Sequence, residues 1–149
     1  MNDNNEFRTK RPVQPTLAVG AIVFKENKVL LVKRGRAPSK GLWAIPGGSV
    51  KLGETIKNAA EREIIEETGI HVRAGAPVYS FESIEHDDDG DVQFHYYIVD
   101  LEAEYISGEI TPGDDADDAA WMSVADLKVY DVHPRTLEML ISQYNFGNK

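Results

Sequence analysis

Glu63, Glu66 and Glu67 stand a turn apart near the end of the run Gly47 to Ile70, GGSVKLGETIKNAAEREIIEETGI. On an α-helix, residues three and four apart are neighbours, so these carboxylates fall within an arc of roughly 100°. Such a cluster repels itself. It also precedes Gly69, which reads as the helix stop, and negative charge at a helix C-terminus opposes the macrodipole. Three hard oxygens on one face suit a divalent Mg²⁺ or Mn²⁺, which keeps positions open for substrate phosphates. Pro46-Gly47-Gly48 just upstream carries no bulky side chain, so its backbone carbonyl can join the same ion. A solvated acidic face on a surface helix would use the same residues. The dipole conflict and the glycine-rich approach set the metal reading beside that plainer one.

The elements that must position these groups follow from pattern. Thr55 to Thr68 lacks internal Gly and Pro, is rich in helix formers, and repeats Ile56, Ala60 and Ile64 every four residues. That predicts a helix with one face on a sheet. Thr16 to Phe24 and Lys28 to Lys33 are apolar, β-branched runs around Lys25-Glu26-Asn27, a hairpin pattern. Further strands are predicted at Ile70 to Arg73, Val78 to Ile84, Val92 to Ala103 and Ala119 to Met122, with Pro46-Gly47-Gly48 as a break. Ser123-Val124-Ala125-Asp126 reads as a helix start, and Pro134 suits a first turn. This order predicts an α/β (α+β) fold, a mixed sheet with helices on both faces. Residues 1–14 read as an N-terminal arm and residues 15–146 as one domain.

Bulk properties exclude several classes. The chain has 149 residues, a formal charge of −9 and no cysteine. That charge argues against holding a nucleic-acid polymer by backbone neutralisation, and the composition leaves no disulfide or thiol chemistry. The start MNDNNEFRTK is polar and predicts no signal peptide, and no apolar run approaches the ~18 residues of a membrane span. The expectation is a soluble, cytoplasmic protein with no membrane partner.

The stretch resembles the Nudix box, G-x5-E-x7-R-E-U-x-E-E-x-G-U with U aliphatic. Gly48, Glu54, Arg62, Glu63, Ile64, Glu66, Glu67, Gly69 and Ile70 fill its specified positions. Gly41 to Gly48 is similar to the strand and loop that lead into the box. The resemblance is sharp over about residues 16 to 70 and architectural beyond. It implies the Nudix fold, an α/β/α sandwich. It also implies Mg²⁺-dependent hydrolysis, with Mn²⁺ as a substitute, of a nucleoside diphosphate linked to another group by water attack on phosphorus. Carried over by position, Glu63, Glu66, Glu67 and the carbonyl near Gly47 would hold the metal. Glu63 is one candidate to activate the water, and Glu54 with Arg62 would brace the loop on the helix. Family members also place an extra acid in the later loop, here Asp118 or Asp115, and this is the second candidate base. A solvated loop explains the same aspartates.

Outside the box, Lys33, Arg34, Arg36 and Lys40 form a basic patch whose best phosphate contacts are Arg34 and Arg36; an ordinary solvated loop reads the same. Asp87-Asp88-Asp89-Gly90-Asp91 fails as a calcium loop, because Val92 falls where that loop needs Gly, and a hairpin turn accounts for it. Phe94 and Tyr96 share one strand face, while His95 and His133 read as structural or exposed. Arg11-Pro12 before an Ala-Val strand, Trp43 to Gly48 and Asp114-Asp115-Ala116…Ala120-Trp121 are similar to the ADP-ribose pyrophosphatase-like subgroup. The proline that many of its members carry beyond the box is missing near Glu85. A nucleoside triphosphate, including an oxidised one, is the alternative substrate, and a non-catalytic nucleotide-binding module the alternative class. The family's habit of pairing adds the expectation of a homodimer.

Overall fold

A computed structural model describes residues 12–147 except 112, 114 and 115. Most of the expected arm, residues 1–11, lies outside the described residues, as does Asp115. The chain runs β1 (Thr16–Lys25), β2 (Lys28–Arg34), β3 (Trp43–Ala44), β4 (Gly47–Ser49), α1 (Ile56–Thr68), β5 (His71–His86), β6 (Val92–Ser107) and β7 (Ala116–Met122). Two helices follow, α2 (Val124–Leu127) and α3 (Pro134–Tyr144).

The seven strands form one mixed sheet in the order β3-β2-β1-β6-β5, with β4 also on β1 and β7 also on β2. β1 is the hub. Its Thr16–Val23 segment runs parallel to Tyr96–Ala103 of β6, and it pairs antiparallel with β4 and, at its far end, with β2. Glu26 and Asn27 form the β1–β2 turn at φ 53° and 64°. Both values are left-handed, as a two-residue type I′ hairpin requires to match the strand twist.

Consecutive residues of β1 and β2 face opposite layers, and both layers are apolar. Ala21, Val23 and Leu30 pack with Ala60 and Ile64 of α1, whereas Ile22, Val29 and Leu31 pack with Leu127, Met139 and Leu140 of α2 and α3. Burial on both faces explains why these strands read as continuous hydrophobic runs rather than alternations. The α/β/α expectation is met.

Two local differences bear on the site. The expected break at Pro46-Gly47-Gly48 is in part a strand, because Gly47 and Gly48 pair with Gly20 and Val19. The segments expected at Ile70 to Arg73 and Val78 to Ile84 merge into one strand, β5, carried past Pro77 by bulges against β6. Glu61 caps that irregularity: its Oε2 accepts from the Ala74 N–H at 2.8 Å.

Candidate active site

Helix α1 starts where the Thr55 hydroxyl accepts from the Asn58 N–H, and stops at Gly69 in the left-handed region, φ 77°. No basic residue lies in its last turn, so the dipole conflict anticipated from sequence is real. The countercharge comes from within the helix. Arg62 grips Glu54 with two donors, Nε at 2.7 Å and Nη2 at 2.9 Å, and its Nη1 reaches Glu63 at 2.9 Å and Glu66 at 3.2 Å. Nη2 also donates to the Ser49 carbonyl at 3.1 Å, tying β4 to the helix. Arg62's hydrogen bonds, then the Lys51 N–H, hold Glu54 down at a pKa of about 2, and Glu54 in turn raises that of Arg62.

Strand β4 is built from glycine for lack of space. A side chain at Gly47 would strike the Val19 carbonyl, and one at Gly48 would strike the Glu63 carboxylate. Pairing alternates along β4: the Pro46 carbonyl accepts from Ala21 and the Val50 N–H donates to Leu17, so residues 46, 48 and 50 face β1. Gly47 and Ser49 therefore turn their polar groups toward α1. The Gly47 N–H donates to Glu67 Oε1 at 2.9 Å, and a strand residue's carbonyl points to the same side as its N–H.

This arrangement fits a hard divalent cation in donor chemistry: carboxylates at the end of α1 face a glycine strand whose Gly47 carbonyl points the same way. The three glutamates do not already converge on a point. Among the described residues, only Asp87, Asp89 and Asp91 bring three acidic groups within 4.8 Å of one another. Glu63 and Glu66 are drawn instead onto Arg62.

Glu63, Glu67, Gly47 and Gly48 line a cavity of about 560 Å³ on the α3 side of the sheet, together with Arg34 and Arg36. Both predicted phosphate contacts thus meet the box. Arg34 is steadied by donating from Nε to the Pro38 carbonyl at 2.7 Å. The floor is made by inward residues of β1, β6 and β5, among them Gly20, Ile98, Asp100, Phe81 and Ser83, with the nearly parallel rings of Phe94 and Tyr96 on β6. One end is closed by α3, whose Glu138 accepts from the Tyr79 hydroxyl at 2.7 Å and whose Arg135 lies over the Phe81 ring.

Asp118 lies elsewhere. It sits opposite Lys33 on β7, its Oδ1 accepts from the Ala119 N–H, and it lines a small separate cleft with Trp43 and Tyr130. Several cavity residues were not singled out for the site from sequence. His133 lines the cavity and caps α3, its Nδ1 accepting from the Arg135 N–H, and burial followed by the nearby Arg34 lowers its pKa. Asp100 is buried in the floor, where desolvation raises its pKa to about 7. An acid directly following Phe94, Tyr96 and Ile98 on their face of β6 was the available signal.

The NUDIX domain profile matches residues 14–142. The chain is 39% identical over 115 residues to the ADP-ribose pyrophosphatase of Methanocaldococcus jannaschii, covering 77% of this chain and 66% of that protein. It is 31% identical over 110 residues to the NAD-capped RNA hydrolase NudC of Vibrio parahaemolyticus, covering 70% of this chain and 37% of that one. The chain thus spans less than two thirds of the length of either relative. The crystal structure of a MutT NUDIX hydrolase from Burkholderia pseudomallei superposes with a TM-score of 0.74 at 30% identity, covering 88% of this chain and 98% of that one. A matching profile over most of the chain, the complete box running from β4 through α1 and the shared fold have one reading: this protein belongs to the NUDIX family.

Proposed function

We propose that this protein is a Mg²⁺-dependent pyrophosphohydrolase that cleaves a nucleoside diphosphate joined to another group, with ADP-ribose or a related nucleotide sugar as substrate. The observation that carries the reading is the single cavity that joins Glu63, Glu67 and the glycine strand to Arg34, Arg36 and an aromatic floor. A diphosphate needs the first two sets of groups, and a nucleoside needs the third. The similarity to the M. jannaschii ADP-ribose pyrophosphatase supports the choice of substrate.

A divalent cation held by Glu63, Glu66, Glu67 and the Gly47 carbonyl would neutralise phosphate charge and acidify a coordinated water. The chain's own groups do the rest. Arg34 and Arg36 hold the diphosphate and keep the scissile phosphorus beside α1. Glu63, braced against Gly48, accepts the proton as water attacks that phosphorus. Arg62 and Glu54 position Glu63 and touch no substrate. The P–O bond of the anhydride breaks, giving AMP and a sugar phosphate. Asp118, the second candidate base, opens onto a different cleft, so Glu63 carries this role in the reading.

The test is a panel of ADP-ribose, dinucleoside polyphosphates, NADH and (d)NTPs with Mg²⁺ or Mn²⁺. AMP plus ribose 5-phosphate is expected. A nucleoside monophosphate plus pyrophosphate from a dNTP would favour the triphosphate reading instead. That alternative is supported by 47% identity over 58 residues to a putative 8-oxo-dGTP diphosphatase of Bacillus subtilis. Nucleotide binding with no turnover would leave a binding module. The homodimer belongs to the same proposal, and light scattering checks it.

A further inference from the structure

The reaction outlined above makes no use of Asp100. Among the described residues it is the only acidic or basic side chain in the buried class, at 3% exposed. The other two buried polar residues are threonines, and the hydroxyl of Thr68, for one, donates to the Ile64 carbonyl at 2.7 Å. Asp100 has no such arrangement: among the described residues no hydrogen bond or ion pair to its carboxyl is made, and burial alone accounts for its raised pKa. A carboxyl so little exposed and without a partner is costly, and proteins keep one mainly where something else completes it.

The space around Asp100 is shaped to that end. Its neighbour in register on β1 is Gly20, where an added Cβ would sit 2.7 Å from both Asp100 Oδ1 and Ile45 Cδ1. Asp100 lines the same cavity as the box glutamates, so its carboxyl faces the ligand space rather than the core. Gly47, Gly20 and Asp100 are aligned across three adjacent strands. At the backbone, Gly47 and Asp100 lie two strand spacings apart, about 10 Å, and the Asp100 carboxyl leans over Gly20 between them. Phe81, Phe94 and Tyr96 on the same floor offer apolar faces of the kind a base stacks on.

We propose that Asp100 is a specificity-determining residue whose carboxyl accepts a hydrogen bond from the exocyclic amino group of an adenine base seated on the cavity floor. The inference rests on the proposed function only for placing the phosphate at the Gly47 and Arg34 end. The experiment uses product binding, which needs no turnover. Calorimetry with Mg²⁺ compares AMP with purine riboside 5′-monophosphate, which has the same shape and lacks the amino group. The wild-type protein is expected to bind AMP about tenfold more tightly, the effect of one hydrogen bond to an otherwise unpaired buried group. Asp100→Leu abolishes that preference, and Asp100→Asn, which keeps an acceptor, retains it. Equal affinity of the wild-type protein for the two ligands, or failure to bind either, overturns the proposal without any variant having to fold. A preference that survives in Asp100→Leu also overturns it. If AMP is preferred as expected but ADP-ribose is not hydrolysed, the proposed function falls and the base contact stands. If ADP-ribose is hydrolysed but the two monophosphates bind alike, the base contact alone falls.

Discussion

Two acidic regions of this protein look alike in sequence and differ in almost every physical respect. The β5–β6 turn brings Asp87, Asp89 and Asp91 within 4.8 Å of one another, a tighter grouping than the glutamates of α1 achieve. Yet Asp89 and Asp91 are exposed, and both of their N–H groups donate to Asp87 Oδ1, at 2.9 and 3.0 Å. Those hydrogen bonds are what an aspartate does to close a turn. Glu63 and Glu67 are half-buried, faced by a glycine strand, and open onto a cavity that also holds Arg34 and Arg36. Proximity of carboxylates therefore says little about chemistry. Countercharge, partial burial and access to a ligand-sized space separate the two regions.

That contrast is breakable, beginning where the effect is largest. Glu67→Gln, which keeps shape and removes charge, is expected to lower kcat on ADP-ribose by about 10³-fold, the loss of several kcal/mol of charge stabilisation. Circular dichroism should show an unchanged fold. Gly47→Ala forces a methyl group onto the Val19 backbone carbonyl of β1 and is expected to destabilise the protein by about 1–3 kcal/mol in urea titrations, as overpacking does. Arg62→Ala leaves the Ser49 carbonyl and three carboxylates, those of Glu54, Glu63 and Glu66, without their shared donor, so kcat/KM should fall by about 10–100-fold, as when a metal ligand loses its supporting contact.

The same variant tests the Glu54–Arg62 pair by pH. Glu54 has a folded pKa of about 2 against an ordinary value of 4.5, so its stabilisation is fully present above pH 4.5 and is lost as pH falls toward 2. The gap in Tm between wild type and Arg62→Ala should narrow across that window; a constant gap would refute the coupling. The smallest effect is expected in the turn. Asp87→Asn, Asp89→Asn and Asp91→Asn together preserve the turn's acceptors, and kcat/KM should stay within about twofold of wild type, as for surface substitutions generally.

Where sequence patterning dictates structure by itself, the reading was direct. The β1–β2 hairpin, α1 from Ile56 to Thr68 and the face carrying Ala60 and Ile64 all follow from periodicity and caps. The box glutamates were legible for a related reason, since they break a local rule without local compensation. The floor of the cavity was not legible. Asp100 and Gly47 become neighbours of Gly20 only through the pairing of three strands distant in sequence, and no local propensity records that. Glycine was read as a break at Gly47-Gly48, where it instead permits a strand that a side chain would exclude. Asp118 reads as an additional acid by position along the chain, and the register of β7 on β2 places it at another cleft.

The central claim is that the carboxylates of α1, and not those of the β5–β6 turn, are a divalent-metal platform. Thermal unfolding with and without saturating Mg²⁺ tests it without a substrate. Metal at 100 times its Kd is expected to stabilise the wild-type protein by about 2.7 kcal/mol, roughly 5–10 °C in Tm. The rise should persist when Asp87, Asp89 and Asp91 are all asparagine, and should vanish in the Glu66→Gln, Glu67→Gln protein. A wild-type Tm that ignores Mg²⁺, or a rise that disappears with the aspartates and survives loss of the glutamates, contradicts the account.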